Sequence, residues 1–346
     1  MSLAGAASYS GTGVVARMVG LGSWLPPRRV ANAELCASLD TSDEWIRTRI
    51  GIASRHAADP GTATSDMAVE AGLRAMKSAG VEHVDAVVLA TSTPDHPVPG
   101  TAPAVAHRLG LRQVPAFDVA AGCSGFVYAT TVAAGLIQAG TCRTVLVVGA
   151  EAMSSAVDPT DRSTAPIFGD GAGAVVLAVG RAGESGALGP VAWGSDGEHF
   201  DAIYIPAGGS RRPVTGPAAA HSERCVRMRG QETFRHAVGR MSQVAREAAA
   251  AAGWTMQDVD RLVVHQANAL IGKSVADTLG IPLARVPSNI ARVGNTSAAS
   301  IPLLLAHSTD EGDLAAGHRV LVAAFGAGFT WAATTLVWPE DMEAIS

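Results

Sequence analysis

Val84-Asp85-Ala86-Val87-Val88-Leu89 is a short apolar run, and it returns as Val259-Asp260-Arg261-Leu262-Val263-Val264, an offset of 175 residues. The same offset carries Thr144-Val145-Leu146-Val147 on to Arg319-Val320-Leu321-Val322. Runs of this length, rich in Val and Leu and bounded by polar turns, read as buried strands. Shared order and shared spacing make internal duplication the better reading of the two matches.

Working outward, Val84–Thr91 is a strand, and a Pro-rich loop leads to a helix over Ala102–Leu109. Ala116–Val119 is again a strand, Ser124–Ala139 has helical length, and Thr144–Gly149 is a third strand. Strands alternating with helices point to an α/β fold with a largely parallel central sheet. Strand, loop and helix around Cys123 are echoed by Ser288–Ala306 around Asn295. The two residues are read as occupying corresponding positions in two halves, residues 14–185 and 186–346. Ligands on such sheets gather at the carboxyl ends of strands, so Cys123 and Asn295 are candidates to converge. Gly194–Arg229 breaks the pattern and carries the basic patch Ala207-Gly208-Gly209-Ser210-Arg211-Arg212-Pro213. It is expected to be a surface excursion near the site entrance.

The 346 residues are 48% hydrophobic and 16% charged, ample for a large core and incompatible with general disorder. A net charge of −5 gives no basic character for nucleic acid. Met1–Gly13 is small and polar, is expected to be a loose tail, and lacks the pattern of a secretory signal. No apolar run approaches the ~20 residues of a membrane span. Cys36, Cys123, Cys142 and Cys225 are far apart with no CxxC, which indicates neither a metal site nor a disulfide framework. A cytoplasmic protein with free thiols is expected.

Asp118-Val119-Ala120-Ala121-Gly122-Cys123-Ser124-Gly125-Phe126 reads as strand, tight turn and helix start. A cysteine at a helix N-terminus meets free N–H groups and partial positive charge, which favour thiolate. A buried structural cysteine at a strand–helix junction is the plainer alternative. His265 follows a buried strand and is itself followed by Gln266-Ala267-Asn268. Gly294-Asn295-Thr296-Ser297-Ala298-Ala299-Ser300 is a polar turn opening a small-residue helix, and an Asn cap would explain it equally well. Phe325-Gly326-Ala327-Gly328-Phe329 is a glycine-rich turn whose N–H groups suit an oxyanion hole, or simply joins two strands. Phe168-Gly169-Asp170-Gly171-Ala172-Gly173 precedes a strand, Ala174–Leu177, whereas the dinucleotide fingerprint opens a helix; nucleotide binding there is rejected.

Taken with Asp40-Thr41-Ser42-Asp43-Glu44-Trp45-Ile46, these motifs resemble, in order and over nearly the whole chain, the β-ketoacyl-acyl-carrier-protein synthase III family. The resemblance implies a thiolase-like fold with two duplicated βαβαβ-type halves in a layered α/β/α/β/α core, and a homodimer. It implies condensation of an acyl-CoA primer with malonyl-acyl carrier protein through an acyl-Cys123 intermediate, in fatty-acid or polyketide initiation. The backbone N–H groups of Cys123 and Ala327 would hold the thioester oxyanion, although the family often has glycine at the Ala327 position. His265 and Asn295 would stabilise the enolate. No metal or permanently bound cofactor is implied, since acyl-CoA is a substrate.

Trp45 matches the family position that stacks on adenine, and Arg49 one that holds the nucleotide end of CoA. Arg235, beside Phe234, and Asn268 match positions near the entrance and the carrier. Two departures stand out. Leu270, Asp277 and Thr278 replace residues that are often basic, so an altered carrier surface is expected. Val98 stands where some members place a Phe that closes the partner's acyl pocket, so primers larger than acetyl are expected. Three rival readings remain at this stage. The first is an acyltransferase passing the acyl group from Cys123 to oxygen or nitrogen. The second is a Cys–His–Asn hydrolase, and the third a non-catalytic scaffold.

Overall fold

The structure, a computed structural model, describes residues 13–214 and 221–346. All of the expected tail Met1–Gly13 except Gly13 lies outside the described residues, as do residues 215–220 of the Gly194–Arg229 excursion.

Ten strands form two main sheets and are labelled here in chain order. They are β1 (Val14–Trp24), β2 (Ala86–Ala90), β3 (Ala116–Val119), β4 (Thr144–Glu151), β5 (Gly171–Arg181), β6 (Leu188–Ser195), β7 (Arg261–Val264), β8 (Arg319–Gly326), β9 (Thr330–Val337) and β10 (Ala344–Ile345). The first sheet has the order β10-β1-β5-β4-β2-β3 and the second β7-β8-β9-β6. The seven longer helices are α1 (Asp43–Ile50), α2 (Thr64–Ser78), α3 (Ala102–Arg108), α4 (Gly125–Gln138), α5 (Gly230–Ala251), α6 (Ala269–Leu279) and α7 (Ser300–Asp310).

The sheets are mixed rather than largely parallel, which corrects the expectation from alternation alone. β3-β2-β4, β7-β8 and the short β10-β1 pairing run parallel, while β4-β5, β5-β1, β8-β9 and β9-β6 are antiparallel. Connection length accounts for the β8-β9 pair. An antiparallel pair closes with a short turn, as at Ala327–Phe329 between β8 and β9, whereas a parallel pair needs a crossover.

The apolar runs are continuous because both faces of each sheet are covered. In β4, Val145 and Val147 face the middle of the molecule, and Leu146, Val148 and Ala150 face outward against α2 and α3. In β8, Val320, Val322 and Ala324 face the middle, and Leu321, Ala323 and Phe325 pack against α5 and α6. Period-2 alternation thus splits each strand between two cores. Helices α4 and α7 lie between the sheets, with Phe126, Ile301 and Leu304 in the shared core. The result is five layers, α/β/α/β/α.

Elements recur at the spacing seen in the sequence. β2 and β7 start at Ala86 and Arg261, β4 and β8 at Thr144 and Arg319, and α4 and α7 at Gly125 and Ser300. Short 3-10 turns, Gly122–Ser124 and Ser297–Ala299, precede the two central helices. The counterpart of Cys123 at this spacing is therefore Ala298, and Asn295 lies just ahead of that turn. The two residues stand on corresponding loops but not at corresponding positions.

Candidate active site

Cys123 sits in the 3-10 turn that runs directly into α4. Gly122 turns the chain there with φ +52°, and a Cβ on it would lie 2.8 Å from the Ala327 nitrogen. Gly326 approaches from the other sheet, and a Cβ on it would collide with the Cys123 nitrogen. Only glycine at both positions lets the two turns meet. Their meeting brings the turns that carry the Cys123 and Ala327 nitrogens into contact, at the start of a helix whose first N–H groups lack intrahelical acceptors.

His265 follows β7 and extends its ladder, its N–H donating to the Ala323 carbonyl at 2.9 Å. The side chain is buried. Burial pushes the imidazole down to about 3, so it is neutral at physiological pH. Its Nδ1 lies 2.5 Å from the Ser300 hydroxyl, at the first residue of α7. The Gln266 N–H points at the same hydroxyl oxygen at 3.4 Å; a Ser300 proton donated to Nδ1 would leave the ring proton on Nε2.

Asn295 is buried, with its main chain pinned by the Ile167 carbonyl and the Gly169 N–H. Its Oδ1 accepts the Ser297 N–H at 2.9 Å, which fixes the amide orientation. Oδ1 being held in this way, the Nδ2 donor has no partner among the described residues.

Cys123, His265, Asn295 and Ala327 line one cavity of about 480 Å³, whose remaining wall is largely apolar. The thiolate expectation is corrected here. Burial outweighs the helix start and pushes the Cys123 thiol up to about 11; the Ser297 side chain and its own N–H pull the other way, and the nearby Glu151 carboxyl adds to the rise. Cys123 is therefore a thiol at rest and needs a route for its proton.

The cavity mouth holds Trp45, 39% exposed, on α1. Ser42 caps that helix, accepting the Trp45 N–H at 3.1 Å, and so sets the height of the ring. The Arg162 guanidinium carbon stands 5.7 Å from the ring centroid. Asn268 also lines the cavity, though its side chain caps α6 through the Leu270 N–H and donates to the Arg49 carbonyl at 3.2 Å. Arg49 itself, Arg235 and Val98 do not line this cavity. Arg235 borders a shallow neighbouring pocket with His236 and Arg240, and Val98 is 84% exposed on a loop.

Several residues escaped the sequence reading. Ile203, Tyr204, Ile205, Val226 and Met228, from the stretch read as a surface excursion, form an apolar wall of the cavity. Arg212 of its basic patch is paired with Glu223. Arg162, Ser297 and Ser300 were unassigned, although the last two lie in a quoted motif. Glu151 closes β4 as the one charged residue of an apolar strand, a signal that was available. Asp170, in the glycine-rich motif before β5, is a structural node that accepts from Ala58 and Ser154. Among the described residues one group could offer three metal-type ligand atoms, His199, Glu232 and His236. It lies outside the cavity lining, and Glu232 there is already shared between His199 and Arg229, each at 2.9 Å.

Comparison with known proteins gives a consistent outcome. Residues 117–197 match the model for 3-oxoacyl-[acyl-carrier-protein (ACP)] synthase III, and residues 249–338 match that for its C-terminal part. A β-ketoacyl-[acyl-carrier-protein] synthase III of Streptomyces coelicolor, its number 3, is 54% identical over 93% of this chain and 97% of that relative. The enzyme of the same name from Pseudomonas aeruginosa is 48% identical over 93% and 96%. A crystal structure of 3-oxoacyl-(acyl carrier protein) synthase III from Pseudomonas aeruginosa PAO1 superposes with TM-score 0.89 at 47% identity, covering 94% of this chain and 99% of that one. The priming β-ketosynthase of the R1128 polyketide pathway superposes with TM-score 0.86 at 36% identity, covering 94% and 97%. No helix of the described residues is long and apolar enough to cross a membrane.

Proposed function

The chain belongs to the 3-oxoacyl-[acyl-carrier-protein] synthase III family, and from that membership we propose the reaction and the residues that carry it. The protein is a condensing acyltransferase that joins an acyl-CoA primer to malonyl-acyl carrier protein and yields a 3-oxoacyl product with loss of carbon dioxide. The reading in which Cys123 passes its acyl group to oxygen or nitrogen is not favoured, because the relatives are synthases.

In the first half-reaction the Cys123 sulfur attacks the primer thioester, and the carbon–sulfur bond to CoA breaks. The N–H groups of Cys123 and Ala327 hold the oxyanion. This assignment rests on the glycine-enforced meeting of their turns. In the second half-reaction the malonyl thioester loses carbon dioxide. His265 Nε2–H and Asn295 Nδ2–H hold the enolate oxygen, and the carbanion attacks the acyl-Cys123 carbonyl. Two neutral donors in a dry cavity suit this step, since an imidazole held down to about 3 neither carries nor needs a charge. No metal or permanently bound cofactor enters these steps.

Trp45 and Arg162 at the mouth offer an aromatic and a guanidinium face to the adenine of CoA, with Arg49 one turn of helix away for the nucleotide phosphates. Asn268 in the cavity wall and Arg235 in its separate shallow pocket are assigned to the carrier arm. A cytoplasmic homodimer agrees with the four free thiols and with Val98 exposed on a loop.

The single observation that carries the proposal is the convergence of Cys123, His265 and Asn295 on one apolar cavity. Intact-protein mass spectrometry with a panel of acyl-CoAs tests it. The expected result is an acyl adduct, absent from Cys123→Ala, that malonyl-carrier protein discharges into a 3-oxoacyl product. An adduct that malonyl leaves in place would overturn the condensing role.

A further inference from the structure

Glu151 is fully buried at the end of β4, and the steps above do not use it. It joins the two halves of the site. From one side Oε1 and Oε2 accept the Ser92 N–H at 3.1 and 3.0 Å, and Oε2 accepts the Thr93 hydroxyl at 2.9 Å. From the other, Oε1 accepts the Ser297 hydroxyl at 2.9 Å and the Ala298 N–H at 3.3 Å. The backbone N–H groups can only donate, so this cage is built for an acceptor. The groups facing the carboxyl from these segments are neutral, apart from the titratable Cys123 thiol.

Ser297 is the link between Glu151 and the nucleophile. It lines the same cavity as Cys123, and its turn packs against the turn that carries Cys123, where a Cβ on Gly125 would lie 3.6 Å from the Ala298 Cβ; its side chain also pulls the proton affinity of that thiol down. Its φ is +47°, a conformation that non-glycine residues rarely adopt. Two bonds hold it there, N–H to Asn295 Oδ1 and Oγ–H to Glu151 Oε1, both 2.9 Å. Backbone held in a sparsely populated region by over-determined contacts is characteristic of working sites.

We propose that Ser297 and Glu151 are the proton path of the first half-reaction. This rests on Cys123 being the acyl acceptor. As the sulfur bonds to the thioester carbon, its proton passes to Ser297 Oγ while the Ser297 hydroxyl proton passes to Glu151 Oε1. CoA leaves as its thiolate and takes a proton from water after release. When the carbanion later displaces Cys123, the sulfur leaves as thiolate and recovers the proton from Glu151 by the reverse path. Burial raises the Glu151 carboxyl above the ordinary range while its donors pull it back. A raised carboxyl is a better proton acceptor for a thiol than an ordinary one.

The test compares wild type with Ser297→Gly, which suits the positive φ, and with Glu151→Gln. Two readouts are followed between pH 5 and 9: Cys123 alkylation by iodoacetamide and single-turnover acylation by acyl-CoA. With the relay intact, both rates rise as Glu151 ionises and then level. Without it they are slower by about 10- to 100-fold and keep rising about tenfold per pH unit toward the thiol's own pKa. Decarboxylation of malonyl-carrier protein by the variants falls at least tenfold less than acylation. Variant profiles parallel to wild type, or decarboxylation falling in step with acylation, would overturn the relay. Should Glu151→Gln fail to fold, Ser297→Gly decides alone. If no acyl-CoA labels wild type, the condensing assignment fails, while the alkylation profile still judges the relay.

Discussion

The Ser300 hydroxyl lies 2.5 Å from His265 Nδ1, and its proton, donated there, would hold the ring proton on Nε2. An imidazole with its proton on Nδ1 would present a lone pair to the enolate and could not stabilise it. Ser300 is thus a positioning residue, held at the first turn of α7. We expect Ser300→Ala to slow malonyl decarboxylation by about 10- to 100-fold, as loss of orienting partners does elsewhere. Acylation of Cys123 should change far less. Separate assays of the two half-reactions check this, with Ser300→Thr restoring part of the rate; equal losses in both would assign Ser300 a packing role only.

The buried, neutral His265 also ties stability to pH. Its folded pKa is about 3, below the ordinary value of 6.5. Between these values the unfolded chain binds a proton that the folded chain does not. The associated stability is therefore complete above about pH 6.5 and is lost as pH falls toward 3, by about 1.4 kcal/mol per unit for this one group. Urea unfolding at pH 7 and pH 5 should show wild type losing more stability than His265→Gln. An equal loss in the two proteins would show that the folded protein protonates His265 readily.

Much of this was legible in the sequence, and the exceptions share a cause. The strand at Ala116–Val119, the helix after Cys123 and the 175-residue recurrence follow from local pattern, so they survive intact. The apolar wall from Ile203 to Met228 was missed because the segment has no periodicity; its burial is decided by α5 and the cavity, not by its neighbours in the chain. Arg162 meets Trp45 across more than a hundred residues, and Glu151 meets Ser297 across a similar separation. Such pairings leave no mark on local composition. The Cys123 thiol departs from expectation for a related reason: the helix start is visible in Gly122–Gly125, but the burial that raises the thiol and the Glu151 carboxyl that adds to it come from segments distant in the chain.

Leu270 is exposed at the start of α6, with Asp277 and Thr278 exposed further along it. The family resemblance implies basic residues here, whereas this face offers an apolar side chain and a negative one. Rim charges act mainly on encounter rate and partner choice. Malonyl-CoA, or malonyl on a specialised carrier, should therefore reach a kcat/KM within about tenfold of malonyl on a standard carrier. Leu270→Arg should improve the standard carrier several-fold at low salt, and the gain should fade at high salt. A strong wild-type preference for the standard carrier would refute the altered surface.

Val98 is 84% exposed, and the loop that bears it also carries Ser92 and Thr93, which line the cavity. Exposure of a Val in one chain is consistent with its serving the partner's acyl pocket in a homodimer. A Phe there would fill space that Val leaves open, and each added methylene a pocket accepts or refuses changes discrimination by about 1–3 kcal/mol. Wild type should accept branched or longer acyl-CoAs at least as well as acetyl-CoA, and Val98→Phe should shift preference toward acetyl by about tenfold or more. Single-turnover acylation across a primer series, read with sedimentation to fix the oligomeric state, checks both. If Val98→Phe leaves a dimer with an unchanged primer profile, the pocket is bounded by the chain's own residues, and Met241, Phe234 and Ile271 become the positions to vary.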